Sequence, residues 1–251
     1  MTPAPTGEHE RRNREFWDAD ADDYQAVHGE QLARGATWGV WGIPEAELDA
    51  LGPTRGLDVL ELGCGAAHWS IALTSDGARC IGLDQSRGQL RHARRAERED
   101  GLTFPLLCAS GEALPCRDES FDLVFCDHGA MSFCDPERSV PEAARVLRPG
   151  GLLVFNKATL LRYLCWDDAR DRESRRLQAR YFGSGRYESE GTVDFQIPYG
   201  DWIRQFRRHG LAVEDLLELR PPKDATTTYE GWDLTWARRW PAEEIWKLRK
   251  L

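Results

Sequence analysis

The sequence is short of the features that send a chain into a membrane, onto nucleic acid or into a disulfide framework. None of its apolar runs approaches the roughly 20 residues that span a bilayer, and the opening MTPAPTGEHERR carries no hydrophobic signal segment. A cytoplasmic protein with no membrane partner is expected. Positive charge is in deficit: 33 Lys and Arg against 42 Asp and Glu leave a net charge of -9. Nucleic-acid binding rests on clustered Lys and Arg, so a small-molecule ligand is expected and a nucleic-acid partner is not. The seven cysteines, at 64, 80, 108, 116, 126, 134 and 165, form no Cys-x-x-Cys pair, and their odd number argues against a disulfide framework. Most should be buried, reduced filler. Internal repeats and low-complexity stretches are absent, and 251 residues suffice for one α/β domain with some decoration.

What the chain has is LDVLELGCGAAHW at 57–69. Val59, Leu60 and Leu62 form an apolar run too short for a helix, and Gly63, Cys64 and Gly65 follow at once, so the run reads as a buried strand ending in a tight turn. Glycine there lets a ligand approach bare backbone, and a helix starting near Ala66 adds free N–H groups at the same spot. A dinucleotide fold wants Gly-x-Gly-x-x-Gly, and His68 occupies the third glycine position. With Glu61 two residues before Gly63, the pattern instead resembles the first motif of the class I S-adenosylmethionine (SAM) methyltransferases.

In chain order, residues 1–12 read as a disordered tail. From Asn13 a helical pattern places Trp17, Ala21, Tyr24, His28 and Leu32 on one face, which should pack on the domain or roof its pocket. Trp38, Trp41 and Ile43 read as core or pocket lining, with Pro44 opening a helix to about Leu51. CIGLD at 80–84 reads as a second strand. Asp84 lies 19 residues past Gly65, the reach at which a neighbouring parallel strand brings a carboxylate to a ribose diol; capping the following helix is its alternative role. The arginines of RGQLRHARRAERED are mixed with Glu and Asp, as on a solvated helix face. Pro105 puts the third strand, 102–109, at a sheet edge.

ASGEALP at 109–115, a fourth strand in ESFDLVFCDHGAMSF at 119–133 and ARVLRPGGLLVF at 144–155 follow in the order that is similar to class I methyltransferases, most of all to the small-molecule enzymes resembling those of quinone biosynthesis. Pro149 and Gly150 suit a type II turn. The resemblance implies a doubly wound, mostly parallel seven-stranded α/β sheet binding SAM. It places Glu61, Gly63 and Gly65 around the methionine moiety, with Cys64 beside them, and Asp84 with Gln85 at the ribose. Ser110, Gly111, Glu112 and Ala113 fall around adenine, and Cys126, Asp127 and His128 near the sulfonium. The family usually has an Asp near Ser110, so that contact passes to Glu112 or to backbone. N-terminal cap helices (13–56), the SAM-binding core (57–157), a substrate cap insertion before the sixth strand (158–198) and the C-terminal part of the sheet (199–251) make up the single domain. In the cap, Leu160 to Tyr181 reads as a charged amphipathic helix and Arg186 to Ile197 as an extended pair around Glu190 and Gly191. Tyr163, Trp166, Tyr181, Phe182 and Phe195 are its candidate pocket walls. A helix at 199–210, a sixth strand at 212–219 and an antiparallel seventh at 245–249 complete the sheet.

Methyl transfer from a sulfonium is an in-line displacement from a neutral thioether leaving group, so alignment is the main lever, and a base is needed only if the accepting O, N or C atom must lose a proton. His128 and His28 are the candidate bases, with Tyr24 beside His28 on the helix. Asp127 and Asn156 sit where metal-dependent catechol-type enzymes place ligands, but a second carboxylate is missing and Lys157 would repel a cation, so no metal is expected. CDHG at the fourth-strand end lacks the tetrad of adenine-amino methyltransferases, and Cys126 follows Phe125 rather than proline, unlike cytosine C5 enzymes. An NAD-dependent oxidoreductase and a non-catalytic SAM-binding protein are the alternatives, and the oligomeric state is not readable from the sequence.

Overall fold

The computed structural model describes residues 7–189 and 191–251. Its centre is a seven-stranded sheet of β1 (Asp58–Leu62), β2 (Arg79–Asp84), β3 (Leu106–Cys108), β4 (Phe121–Asp127), β5 (Leu147–Ala158), β6 (Leu211–Glu218) and β7 (Glu243–Lys250). The spatial order is β6-β7-β5-β4-β1-β2-β3. Strands β1 to β5 are parallel, and β7 runs antiparallel to both β5 and β6. The doubly wound expectation holds, with β3 at an edge; its expected N-terminal half, Pro105 included, precedes the ladder, and Gly82 donates to the Pro105 carbonyl.

Burial explains the strand assignments. Val59, Leu60 and Leu62 are fully buried, as are Val124, Phe125 and Cys126 on β4 and Leu153, Val154 and Phe155 on β5. A fully buried side chain of this size contributes about 1.5 to 3 kcal/mol, and runs buried on both faces need helices on both. Helices α2 (His68–Ser75) and α3 (Arg87–Glu99) pack on one side, α4 (Pro136–Val146) and α5 (Tyr199–Arg208) on the other. Residues 148–151 loop out between Leu147 and Leu152, the partners of Phe121 and Leu123, and Gly150 takes φ 78°, as the expected turn requires.

Three expectations are corrected. The N-terminal helix α1 runs Glu8–Leu32, so residues 8–12 are helical rather than tail; its first turn is anchored by contacts far away in sequence, which composition cannot reveal. Residues 1–6 of that tail lie outside the described residues. The helix after Pro44 stops at Leu48, where Asp49 turns left-handed. The expected helix over Leu160 to Tyr181 is only Leu160–Cys165, followed by a small ladder of Trp166–Asp167 with Arg172–Glu173. Charged residues there are spaced for a helix, but the segment gains more by wrapping Arg162 and Trp236: Glu173 ion-pairs with Arg162, and the Ser174 carbonyl accepts from Trp236 Nε1. The extended pair is present as Arg186–Glu188 with Val193–Phe195; Glu190 lies outside the described residues.

Candidate active site

Strand order reverses between β1 and β4, which start connections to opposite sides of the sheet, and in open α/β sheets the crevice at such a point receives the ligand. A cavity of about 340 Å³ opens there. Its floor is the glycine turn. Gly63 takes φ 72°, and a Cβ on it would lie 2.5 Å from the Ala130 amide nitrogen and 2.7 Å from Gly129 Cα, so the turn can meet the segment after β4 only without a side chain. Asp84, at the end of β2, accepts from Gly65 N (2.9 Å) through Oδ2 and from Ser86 N (2.8 Å) through Oδ1. Burial raises its pKa against the pull of those hydrogen bonds. A carboxylate has about four acceptor sites, so Asp84 keeps acceptor capacity for a ligand hydroxyl beyond its backbone partners.

The roof is α1, which contributes Trp17, Tyr24 and Leu32 to the cavity wall. Its first turns are latched. His9 Nε2 meets Glu112 Oε1 at 2.5 Å, Ser110 donates to Glu10, and the buried Asn13 donates to the Phe133 and Val193 carbonyls while accepting from Val193 N. Farther along, Tyr24 and Tyr229 share a hydroxyl hydrogen bond of 2.7 Å, and burial pushes the Tyr24 phenol up to about 12.

Opposite Asp84, the cavity ends in a polar network on buried strand ends. Asp127 accepts from Gly39 N (3.1 Å), Asn156 Nδ2 (2.7 Å) and Trp69 Nε1 (3.4 Å), and burial raises its pKa. His128, at φ 53°, holds Glu243 Oε1 at 2.6 Å, and that oxygen also accepts from Val40 N. Burial by itself would lower the His128 pKa; the hydrogen bond to Glu243 and the charges of Glu243 and Asp127 raise it. Arg162 lies 3.8 Å over the Trp232 ring while paired to Glu173. Burial raises Asp194 to about 6. Lys157, on the strand face opposite Asn156, binds the Phe195 carbonyl and Gln196 Oε1, and burial lowers it to about 8. Its ammonium is thus committed elsewhere and does not adjoin the Asp127 carboxylate as expected.

Of the residues expected around the cofactor, Gly63, Gly65, Asp84, Gln85, Gly111 and Asp127 line the cavity. Six are placed elsewhere. Glu61 reaches from β1 to Ser70 N (3.0 Å) and Ser70 Oγ (2.5 Å), substituting for the cap that Ala67 cannot give α2. Cys64 packs with Ile71, Ala93 and Phe104, Cys126 lies within the core, and Ala113 faces solvent. Ser110 and Glu112 belong to the α1 latch, Glu112 also accepting from Asp135 N and pairing with Arg138. Among the candidate catalytic residues Tyr24 and His128 face the cavity, whereas His28 does not: its ring stacks on Tyr229 at 4.0 Å and its Nδ1 meets Thr228 Oγ1. Tyr163 is the one expected cap wall that lines the cavity; Phe182 is 86% exposed. Glu243, Asp194, Tyr229 and Trp232 were not singled out from the sequence. Two adjacent glutamates at the head of an apolar strand marked the first, and the extended pair read at 186–197 contains the second; Tyr229 and Trp232 sit in a segment without a pattern.

Residues 60–155 match the family described as "Methyltransferase domain". Malonyl-[acyl-carrier protein] O-methyltransferase of Methylococcus capsulatus is 40% identical over 101 residues, 39% of this chain and 36% of that protein. Demethylmenaquinone methyltransferase of Clavibacter sepedonicus is 35% identical over 117 residues, 46% of each. The chain spans less than half the length of these curated relatives. A SAM-dependent methyltransferase from Mesorhizobium loti superposes with TM-score 0.67 at 25% identity, over 84% of this chain and all of that one. Residues 60–155 thus match a methyltransferase domain, and the fold is similar to that of a SAM-dependent methyltransferase. No described helix is long and apolar enough to cross a membrane.

Proposed function

We propose that the chain moves a methyl group from SAM to an O, N or C atom of a small-molecule acceptor, leaving S-adenosylhomocysteine. The observation that carries this reading is the cavity at the sheet crossover, where the Asp84 carboxylate keeps acceptor capacity beside a glycine turn that leaves backbone bare. Its volume falls in the range of about 300 to 1,000 Å³ usual for small-ligand sites. Asp84 and Gln85 would hold the ribose, Gly63 and Gly65 the methionine part, and Gly111 the adenine side. When bound, the cofactor supplies an electrophilic methyl on a sulfonium. The chain's own work is alignment under the α1 roof and exclusion of water, which can supply as much as about 7 to 11 kcal/mol. The 158–198 segment serves as acceptor cap through Arg162, Tyr163 and Asp194. We read the transfer as metal-free because the Asp127 oxygens already take protein N–H donors, and the protein as a single-domain cytoplasmic enzyme without a nucleic-acid partner. The relatives named for malonyl-[acyl-carrier protein] and demethylmenaquinone support an organic acceptor without choosing one.

Calorimetry with SAM, S-adenosylhomocysteine and NAD tests the reading. Binding of the first two with similar affinity is expected. Silence with both at millimolar concentration, or binding of NAD alone, overturns it in favour of an oxidoreductase or a different ligand.

A further inference from the structure

His128 uses one ring nitrogen on a buried carboxylate and leaves the other free. Nε2 is 2.6 Å from Glu243 Oε1, and the Glu243 side chain is 1% exposed against 29% for His128. Nδ1 has no hydrogen-bond partner among the described residues and is not sealed from the cavity that the ring lines. Glu243 is itself fixed: Oε1 accepts from Val40 N at 2.9 Å and lies 3.3 Å from Asn156 Nδ2, and a side chain on Gly39 would collide with it. The Gly39–Val40 loop thus gives one amide to Asp127 and the next to Glu243, holding both carboxylates around the imidazole.

We propose that Glu243 is the positioning residue of His128, fixing its neutral form as the Nε2–H tautomer so that Nδ1 takes the acceptor's proton. The acceptor class follows: a nucleophile carrying an O–H or N–H. As the new C–O or C–N bond forms, the sulfur–methyl bond breaks and its electron pair stays on sulfur, while the O–H or N–H proton passes to Nδ1. The resulting imidazolium is held by Glu243 and Asp127, and later returns the proton to solvent. The groups facing the ring are Asp127, Glu243, Arg162 and Asp194. A carboxylate behind an imidazole orients it and stabilises its cation in the same way elsewhere, and which nitrogen carries the proton is set by the bond the other one makes.

The inference rests on the methyl-transfer reading, but its test needs no cofactor. Two-bond ¹⁵N–¹H correlation spectra of protein labelled in histidine, with the His128 signals assigned by their loss in H128Q, report the tautomer and the titration directly. In the wild type the neutral His128 should carry its proton on Nε2. In E243Q, which keeps an amide oxygen but no charge, its proton affinity should fall at least tenfold. A neutral Nδ1–H tautomer in the wild type overturns the proposal even if E243Q fails to fold, and so does an unchanged titration in a folded E243Q. If the wild-type tautomer is as stated while calorimetry finds no SAM binding, the methyl-transfer reading fails and the positioning of His128 stands.

Discussion

The Asp84 carboxylate reaches across from β2 to the amide of Gly65 at 2.9 Å, so the residue that would take the ribose also shapes the turn beside it. Capping and ligand binding, alternatives in the sequence, are compatible in one side chain: Oδ1 steadies Ser86 at the start of α3 while the carboxylate keeps acceptor capacity for a ligand. Asp84→Asn should therefore weaken both SAM and S-adenosylhomocysteine. Loss of about 1.5 to 3 kcal/mol of charge-assisted bonding corresponds to roughly one to two orders of magnitude in Kd. Equal affinities for variant and wild type by calorimetry would leave Asp84 a structural cap only.

Gly63→Ala should act on the fold before it acts on the ligand. The added Cβ meets the backbone of Gly129 and Ala130, and φ 72° is strained for alanine. A loss of about 2 to 4 kcal/mol in unfolding free energy is expected from overpacking and strain together. Urea unfolding decides it, and a variant as stable as the wild type would mean that the turn has room to shift.

How far the sequence carried can be seen at single residues. Periodicity and the glycine turn located β1, β2, β4, β5 and the crossover, because those signals come from local burial and backbone geometry. Gly63, Gly65, Asp84 and Asp127 were legible for the same reason. Glu61 was not: its neighbours in sequence are apolar strand, and only the return of α2 to the strand brings Ser70 to its carboxylate. His9 and Glu243 escaped because their partners lie 103 and 115 residues away along the chain, and Glu112, expected at the adenine, is instead tied to His9 across the same 103 residues. His28 was misplaced because helical spacing does not show its partner from a distant segment: its ring stacks on Tyr229 rather than turning into the cavity.

Glu61 also makes stability depend on pH. Burial, opposed by the two Ser70 hydrogen bonds, raises its pKa from 4.5 to about 8. The folded state therefore keeps a proton that the unfolded state releases, and stability contributed by this group is present below about pH 4.5 and is lost as pH rises toward 8. The slope reaches about 1.4 kcal/mol per pH unit within that window. Glu61→Gln, which cannot ionise, should flatten the difference between unfolding free energies measured at pH 5 and pH 8. Parallel pH profiles for the two proteins would show that Glu61 is ionised in the folded state throughout.

The two histidines on the sequence's list of bases should now separate. His128 lines the cavity with its free nitrogen accessible, whereas His28 lies behind Tyr229, its Nδ1 bonded to Thr228. With an acceptor found by screening hydroxyl and amine compounds against radiolabelled SAM, His128→Gln should lower kcat by roughly 10² to 10⁴ and leave the Kd for SAM within about twofold, since it is assigned to neither the ribose nor the adenine. His28→Ala should keep kcat near the wild-type value. Tyr24→Phe should raise KM more than it lowers kcat, because its hydroxyl is bonded to Tyr229 and burial holds its pKa near 12, too high to give up a proton at neutral pH. The wild-type rate should climb with pH through a value above the usual 6.5 of histidine, since His128 must lose its proton before it can accept the acceptor's. A large loss in His28→Ala with none in His128→Gln would move the base to the far side of Tyr229 and require the α1 roof to open during turnover.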